Sequence, residues 1–233
     1  MSANRLLLVV TSSDRMGTAP EPTGVWLEEV VAPYYTFVDA HWDVTIASPQ
    51  GGATPLDPTS LQDENQTAAT RRYEADIKVQ SALSHTMKLS SINADEYDAV
   101  FFAGGHGTME DFPKDISVTQ TVEAFWNAGK PVASVCHGPA CLVPAKDASG
   151  NAVVKGRNFT CFSDAEETFI GAHEYVPFML ETRLKELGGT PEIAENFAPN
   201  VVVDGQLITG QNPASSIPAA EAIIHQLRMK LAA

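Results

Sequence analysis

Lys130-Pro131-Val132-Ala133-Ser134-Val135-Cys136-His137-Gly138-Pro139-Ala140 is the stretch that decides the fold. Pro131 to Val135 is short, uncharged, and small or apolar, as a strand buried on both faces of a parallel sheet must be. Proline is tolerated at its first position because no ladder donor is needed there. Gly138 and Pro139 then force a turn, and proline suits the first turn of a helix. The spacing therefore predicts Cys136 at a strand-to-helix junction, where a sharp elbow presents a nucleophile. Free N–H groups at the helix start are expected to lower the thiol pKa and favour a thiolate.

Working outward, 233 residues suffice for one buried core, and one α/β domain over 1–233 is expected. Fifteen basic residues against twenty-nine acidic ones give a net charge of −14. Nucleic acid and anionic lipid both require a basic face, so neither is an expected partner. No run approaches the roughly 18 apolar residues of a membrane span. Leu6–Val10 is too short for the core of a signal peptide, so a cytoplasmic protein is expected. The cysteines at 136, 141 and 161 are too few and too unevenly spaced for a disulfide framework or a zinc site; no metal is expected.

In chain order, Arg5–Thr11 reads as a first buried strand. A Gly/Pro-containing loop, Ser12–Thr23, leads to a helix from Gly24, with Thr23 as its cap and Pro33 at its end or at a kink. His41–Ser48 is a second strand. Residues 53–94 are polar and weakly periodic, and read as an insertion with one or two short helices over one edge. Ala99–Ala103 is a third core strand, followed by Gly104-Gly105-His106-Gly107-Thr108, and Ile116–Ala128 is a helix. Val153–Lys155, Phe159–Phe162, Glu192–Glu195 and Val201–Val203 are further candidate strands, the last opening a hairpin around Asp204-Gly205. Pro177–Leu187 and Pro213–Met229 are helices. Strands alternating with helices predict a mostly parallel sheet with helices on both faces. Ligands of such sheets bind at the carboxyl ends of the strands, where Ser12–Thr23, Gly104–Thr108 and Cys136–Pro139 converge.

Each residue of that edge admits a bland reading. Cys136 could be an inert buried thiol, as Cys141 and Cys161 are expected to be. His137 could be base or proton shuttle, but neighbours on a regular strand point to opposite faces. Only a sharp elbow brings its ring to the sulfur. The N–H groups of Gly105 and His137 could form an oxyanion hole. His106 either lines the pocket or is a solvent-exposed turn residue. Glu28 and Glu29 are adjacent on a helix, so at most one is expected to face the site, and Glu166 and Glu167 pose the same choice.

Taken together these segments resemble the DJ-1/PfpI superfamily, and within it the Hsp31-like group that includes glutathione-independent glyoxalases. Thr23-Gly24-Val25-Trp26-Leu27-Glu28-Glu29 resembles the helix bearing the family's proton-sharing glutamate, which falls on Glu29. Ala103–Thr108 with Asp111-Phe112-Pro113 resembles its oxyanion loop, and Ala133–Ala140 its nucleophile elbow. Phe162–Thr168 resembles the segment carrying the triad acid, which falls on Glu167. Thr209–Ser215 is similar to the group's C-terminal signature. The resemblance implies a flavodoxin-like sandwich and a Cys136-His137-Glu167 arrangement with Glu29 hydrogen-bonded to the thiol. It implies a homodimer acting without a cofactor on a small aldehyde such as methylglyoxal, to give a 2-hydroxy acid. Cys136 would add to the aldehyde carbon, with His137 or Glu29 as base. The superfamily also contains cysteine peptidases and amidases, stress chaperones and thiol redox sensors.

Overall fold

The computed structural model describes residues 3–232, with side chains through 229. Residues 1, 2 and 233 of the expected 1–233 domain lie outside the described residues. Leu6 to Val9 are fully buried in strand β1 (Arg5–Val9) at the middle of a seven-stranded sheet. The other strands of this sheet are β2 (Asp43–Ser48), β3 (Met87–Lys88), β4 (Ala99–Phe102), β5 (Val132–Val135), β8 (Val201–Asp204) and β9 (Leu207–Gly210). Their order is β3-β2-β1-β4-β5-β9-β8. All pairs are parallel except the β8–β9 hairpin, which turns at Gly205 with φ 62°. Strands β6 (Asn158–Phe159) and β7 (Thr190–Pro191) form a separate parallel pair. The architecture is the expected α/β sandwich with a mostly parallel central sheet.

Alternation along the strands divides the core in two. Leu6 and Leu8 face helices α1 (Leu27–Asp39) and α8 (Ser216–Ala232), against Val30, Phe37 and Ile223. Leu7 and Val9 face α5 (Ile116–Asn127) and α7 (Leu180–Glu186), against Val118, Phe125 and Leu184. Each such side chain contributes about 1.5–3 kcal/mol by leaving water, which outweighs local conflicts. Pro33 is one of these: it sits inside α1, where its missing N–H is tolerated because flanking Val30, Val31, Tyr34 and Phe37 are buried.

The structure departs from the sequence reading in several places. Helix α1 begins at Leu27 rather than Gly24, with no side-chain cap. Thr23 instead donates to Asp57 Oδ2 at 2.6 Å, pinning residues 53–94 to the loop after β1. Those residues hold α2 (Ala68–Glu74), α3 (Ile77–Ser84) and β3, the last extending the sheet beside β2. Val153–Lys155 is a turn, because Lys155 N closes onto Ala152 O at 2.9 Å instead of pairing with a strand. The expected Phe159–Phe162 strand shortens to β6, and Glu192–Glu195 gives way to β7. Cys136 is followed by a 3-10 turn, Gly138–Leu142, and not by an α-helix.

The carboxyl ends of β1, β4 and β5 meet at one edge, beside the point where the strand order reverses around β1. There α4 (Thr108–Asp111) ties the loops together. Thr108 Oγ1 donates to Gly105 O at 2.8 Å and to His137 O at 3.1 Å. Asp111 Oδ2 accepts from Thr11 Oγ1 at 2.8 Å and from Ser12 N at 2.7 Å.

Candidate active site

Cys136 leaves β5 with φ 58°, a conformation that costs a non-glycine residue about 1–3 kcal/mol and persists only where its surroundings hold it. Here Cys136 N donates to Gly210 O, and Phe162 N donates to Cys136 O, both at 2.9 Å. Gly138 completes the elbow, because any Cβ there would strike Phe102 O. The turn folds the His137 ring back so that Nδ1 lies 3.3 Å from Cys136 Sγ. Adjacent residues thus meet, as only an elbow allows.

The thiol itself departs from the expectation of a lowered pKa. Burial pushes it well up, and the neighbouring Glu29 carboxyl adds to the rise. The N–H of Gly105 pulls the other way. A five-residue 3-10 turn does not supply the aligned dipoles of an α-helix, which is why the expected stabilisation of the thiolate is weaker.

Glu29 is fully buried, with Oε2 accepting from Gly104 N at 2.7 Å. Burial pushes its carboxyl up to about 8, against the opposing effect of its hydrogen bonds with Cys136 and Gly104. Its Oε1 has no partner of standard geometry, so the contact with the thiol is loosely directed. At neutral pH the carboxyl holds a proton beside the sulfur, and the two groups titrate as a pair. Gly104 is obligatory in this arrangement. A Cβ there would meet Glu29 Oε2, Val135 O at 2.6 Å and His137 N at 2.8 Å.

Glu167, on α6 (Asp164–Phe169), accepts from two imidazoles. His137 Nε2 lies 2.6 Å from Oε2, and His106 Nε2 lies 2.8 Å from Oε1. Against the cost of burial, the charge and hydrogen bonds of these rings hold the carboxyl well below the usual range. Burial lowers the pKa of His137 and leaves its ring neutral at pH 7. An ionised Glu167 fixes the tautomer: Nε2 carries the proton, and Nδ1 presents its lone pair to the thiol. His106 stacks on His137 with centroids 4.0 Å apart and borders the cavity. His106, His137 and Glu167 also offer ligand atoms within 4.8 Å of one another, the group among the described residues that could hold a metal ion. The Nε2 atom of each imidazole already faces one oxygen of Glu167.

Cys136, His106 and His137 open onto a cavity of about 470 Å³. The structure thus brings together Cys136, His137, Glu29, Glu167, Gly105 and His106. For the first glutamate pair it departs from the expectation that at most one residue faces the site. Glu28 borders the cavity and accepts a very short hydrogen bond from Thr67, because the cavity wraps the first turn of α1 and two directions from it reach the site. Glu166 is buried as well: it caps α6 through Ser163 and accepts from Phe197 N at 2.7 Å. Thr67 and Phe197 escaped sequence reasoning, since both lie in segments without periodicity. Phe162 and Asn212, which also line the cavity, fall inside stretches singled out by resemblance.

Known proteins share this arrangement of chain. The glutathione-independent glyoxalase HSP31 of Saccharomyces cerevisiae is 28% identical, over 98% of this chain and 100% of its own. The Rapid Encystment Protein of Francisella tularensis superposes with a TM-score of 0.92 at 36% identity, covering 96% of this chain and 99% of that one. Glyoxalase III of Candida albicans superposes with a TM-score of 0.89 at 26% identity, covering 95% and 96%. The pattern of the DJ-1/PfpI family matches residues 22–226, which include Glu29, the Gly104–Thr108 loop, the Cys136 elbow and Glu167. The chain belongs to the DJ-1/PfpI family.

Proposed function

We propose that this chain is a glutathione-independent glyoxalase, converting a small 2-oxoaldehyde and water to a 2-hydroxy acid at Cys136. The observation that carries the reading is the 3.3 Å approach of His137 Nδ1 to Cys136 Sγ at the floor of the cavity, with Glu167 holding the ring from behind. Relatives named as glyoxalases, matched over nearly their whole length, support the same chemistry.

In this mechanism the sulfur adds to the aldehyde carbon while its proton passes to His137 Nδ1 and then to the new alkoxide. The N–H groups of Gly105 and His137 hold that oxygen. Neutral His137 next removes the hydrogen of the former aldehyde carbon. The electron pair moves to the ketone oxygen, which takes a proton as the enediol forms. The hydroxyl on the first carbon gives up its proton as His137 delivers one to the second carbon, giving a 2-hydroxy thioester on Cys136. Water cleaves this thioester to the 2-hydroxy acid and restores the thiol. Glu29, protonated below about pH 8, donates toward the sulfur and is not the base.

Chelator-treated, glutathione-free protein is expected to form lactate from methylglyoxal. Cys136→Ala is expected to lose at least about a thousandfold in kcat/KM, as removal of a nucleophile does. Lactate formation no faster with wild type than with Cys136→Ala overturns the proposal. By family resemblance the reading extends to one DJ-1/PfpI domain over 1–233 and to a homodimer in the cytoplasm. Sedimentation equilibrium tests the dimer. Among the described residues no helix is long and apolar enough to cross a membrane.

A further inference from the structure

The cavity is larger than methylglyoxal requires. At about 470 Å³ it falls among sites for ligands of substantial size, roughly 300–1,000 Å³. A three-carbon aldehyde fills only on the order of 100 Å³, about three waters' share of liquid volume. The cavity lining includes the polar side chains of Glu28, Glu64 and Thr67. It also includes an aromatic run that starts at the catalytic imidazole: Phe162 packs on His137 at 4.6 Å, and Phe197 lies 6.3 Å from Phe162. Trp26 and Ile170 complete it.

Phe197 is the unusual member. Its φ is 62°, a conformation strained for an aromatic residue, yet its ring is 42% exposed and so is not held there by burial in the core. The polar groups beneath it hold the backbone instead. The Phe197 N–H donates to buried Glu166 Oε1 at 2.7 Å. Asn212 Nδ2 donates to the same oxygen at 3.0 Å and to Ala198 O at 2.8 Å. A buried carboxylate and a buried amide thus keep a strained turn that sets an aromatic ring in the cavity lining. Strain sustained in this way marks functional positions.

We infer that the site takes 2-oxoaldehydes carrying a flat, uncharged, apolar substituent beyond the ketone, and that Phe197 is a specificity-determining residue on which that substituent lies. The inference rests on the glyoxalase reading and names its substrate class. The chemistry at Cys136 is unchanged; the tail extends along Phe162 and Phe197, with Ile170 and Trp26 at its sides. Glu28 and Glu64 in the same lining, within a chain of net charge −14, disfavour anionic tails.

The test compares kcat/KM for phenylglyoxal and for methylglyoxal in wild type, Phe197→Gly and Phe197→Tyr. Glycine adopts positive φ freely, so Phe197→Gly is expected to fold with an undiminished melting temperature. Its ratio of kcat/KM for phenylglyoxal over methylglyoxal is expected to fall about fivefold or more, carried by KM, as loss of one aromatic contact implies. Phe197→Tyr is expected to keep the wild-type ratio. A ratio unchanged in Phe197→Gly, while wild type turns over methylglyoxal, overturns this inference and leaves the glyoxalase reading standing. Wild type inactive on both aldehydes overturns both.

Discussion

Glu29 shows how one buried side chain links stability to chemistry. A carboxyl with an ordinary pKa of 4.5 in the unfolded chain and about 8 in the fold binds more protons when native throughout that interval. Its contribution is therefore most favourable below pH 4.5 and is lost as pH rises to 8, amounting to on the order of 3–5 kcal/mol. Glu29→Gln is neutral at every pH and lacks this slope. Denaturant melts at pH 5 and pH 8.5 are expected to show wild type losing stability relative to Glu29→Gln as pH rises; parallel curves would place the carboxylate's charge elsewhere. Glu167 runs in the opposite direction, since its lowered pKa gives stability that is lost as pH falls below the ordinary carboxylate value. Glu167→Gln presents a donor where His137 needs an acceptor, turning the ring's proton toward the sulfur. Steady-state kinetics are expected to show kcat reduced about 100- to 10,000-fold, as when a triad histidine takes the wrong tautomer. The sequence made Cys136 and His137 visible because the elbow is a local pattern. It left the glutamate pairs ambiguous, because which of two adjacent side chains is buried depends on what packs over α1 and α6, and that partner is distant in the chain. Thr67, which meets Glu28, lies 39 positions away from it.

Among the elements, the loop after β4 is the most constrained. Gly104 has Val135 O and His137 N within 3 Å of any added Cβ, and both are backbone atoms that cannot swing aside. Gly104→Ala is expected to cost about 1–3 kcal/mol in a denaturant melt. It is also expected to abolish turnover by separating the loop from the elbow. An alanine variant with wild-type kinetics would show that this approach is not needed. Strands β1, β4 and β5 were legible as uninterrupted apolar runs. The element after Cys136 was not, since Gly138-Pro139 opens a 3-10 turn and an α-helix equally well and only packing against Phe102 decides. Residues 53–94 read as a polar, weakly periodic segment, and which of their side chains reach the cavity wall was not legible. That role depends on Thr23 and Asp57 docking the segment beside α1, a contact no local pattern announces.

Across the whole molecule, the parallel sheet gathers three loops at one edge, and the described 3-10 turns and short helices close a cavity over them. The charge balance argued against basic-surface functions but said nothing of the cavity, whose walls come from segments scattered between Trp26 and Ala214. Its size and its aromatic side appear only once the chain has folded. The central claim is that the aldehyde passes through a covalent bond to one sulfur. Acid-quenched, glutathione-free wild-type protein mixed with methylglyoxal and examined by peptide mass spectrometry tests it most directly. The account predicts an adduct with the mass of one methylglyoxal on the peptide holding Cys136, rising and decaying at the rate of lactate formation. Lactate appearing at full rate with no adduct on that cysteine would contradict it.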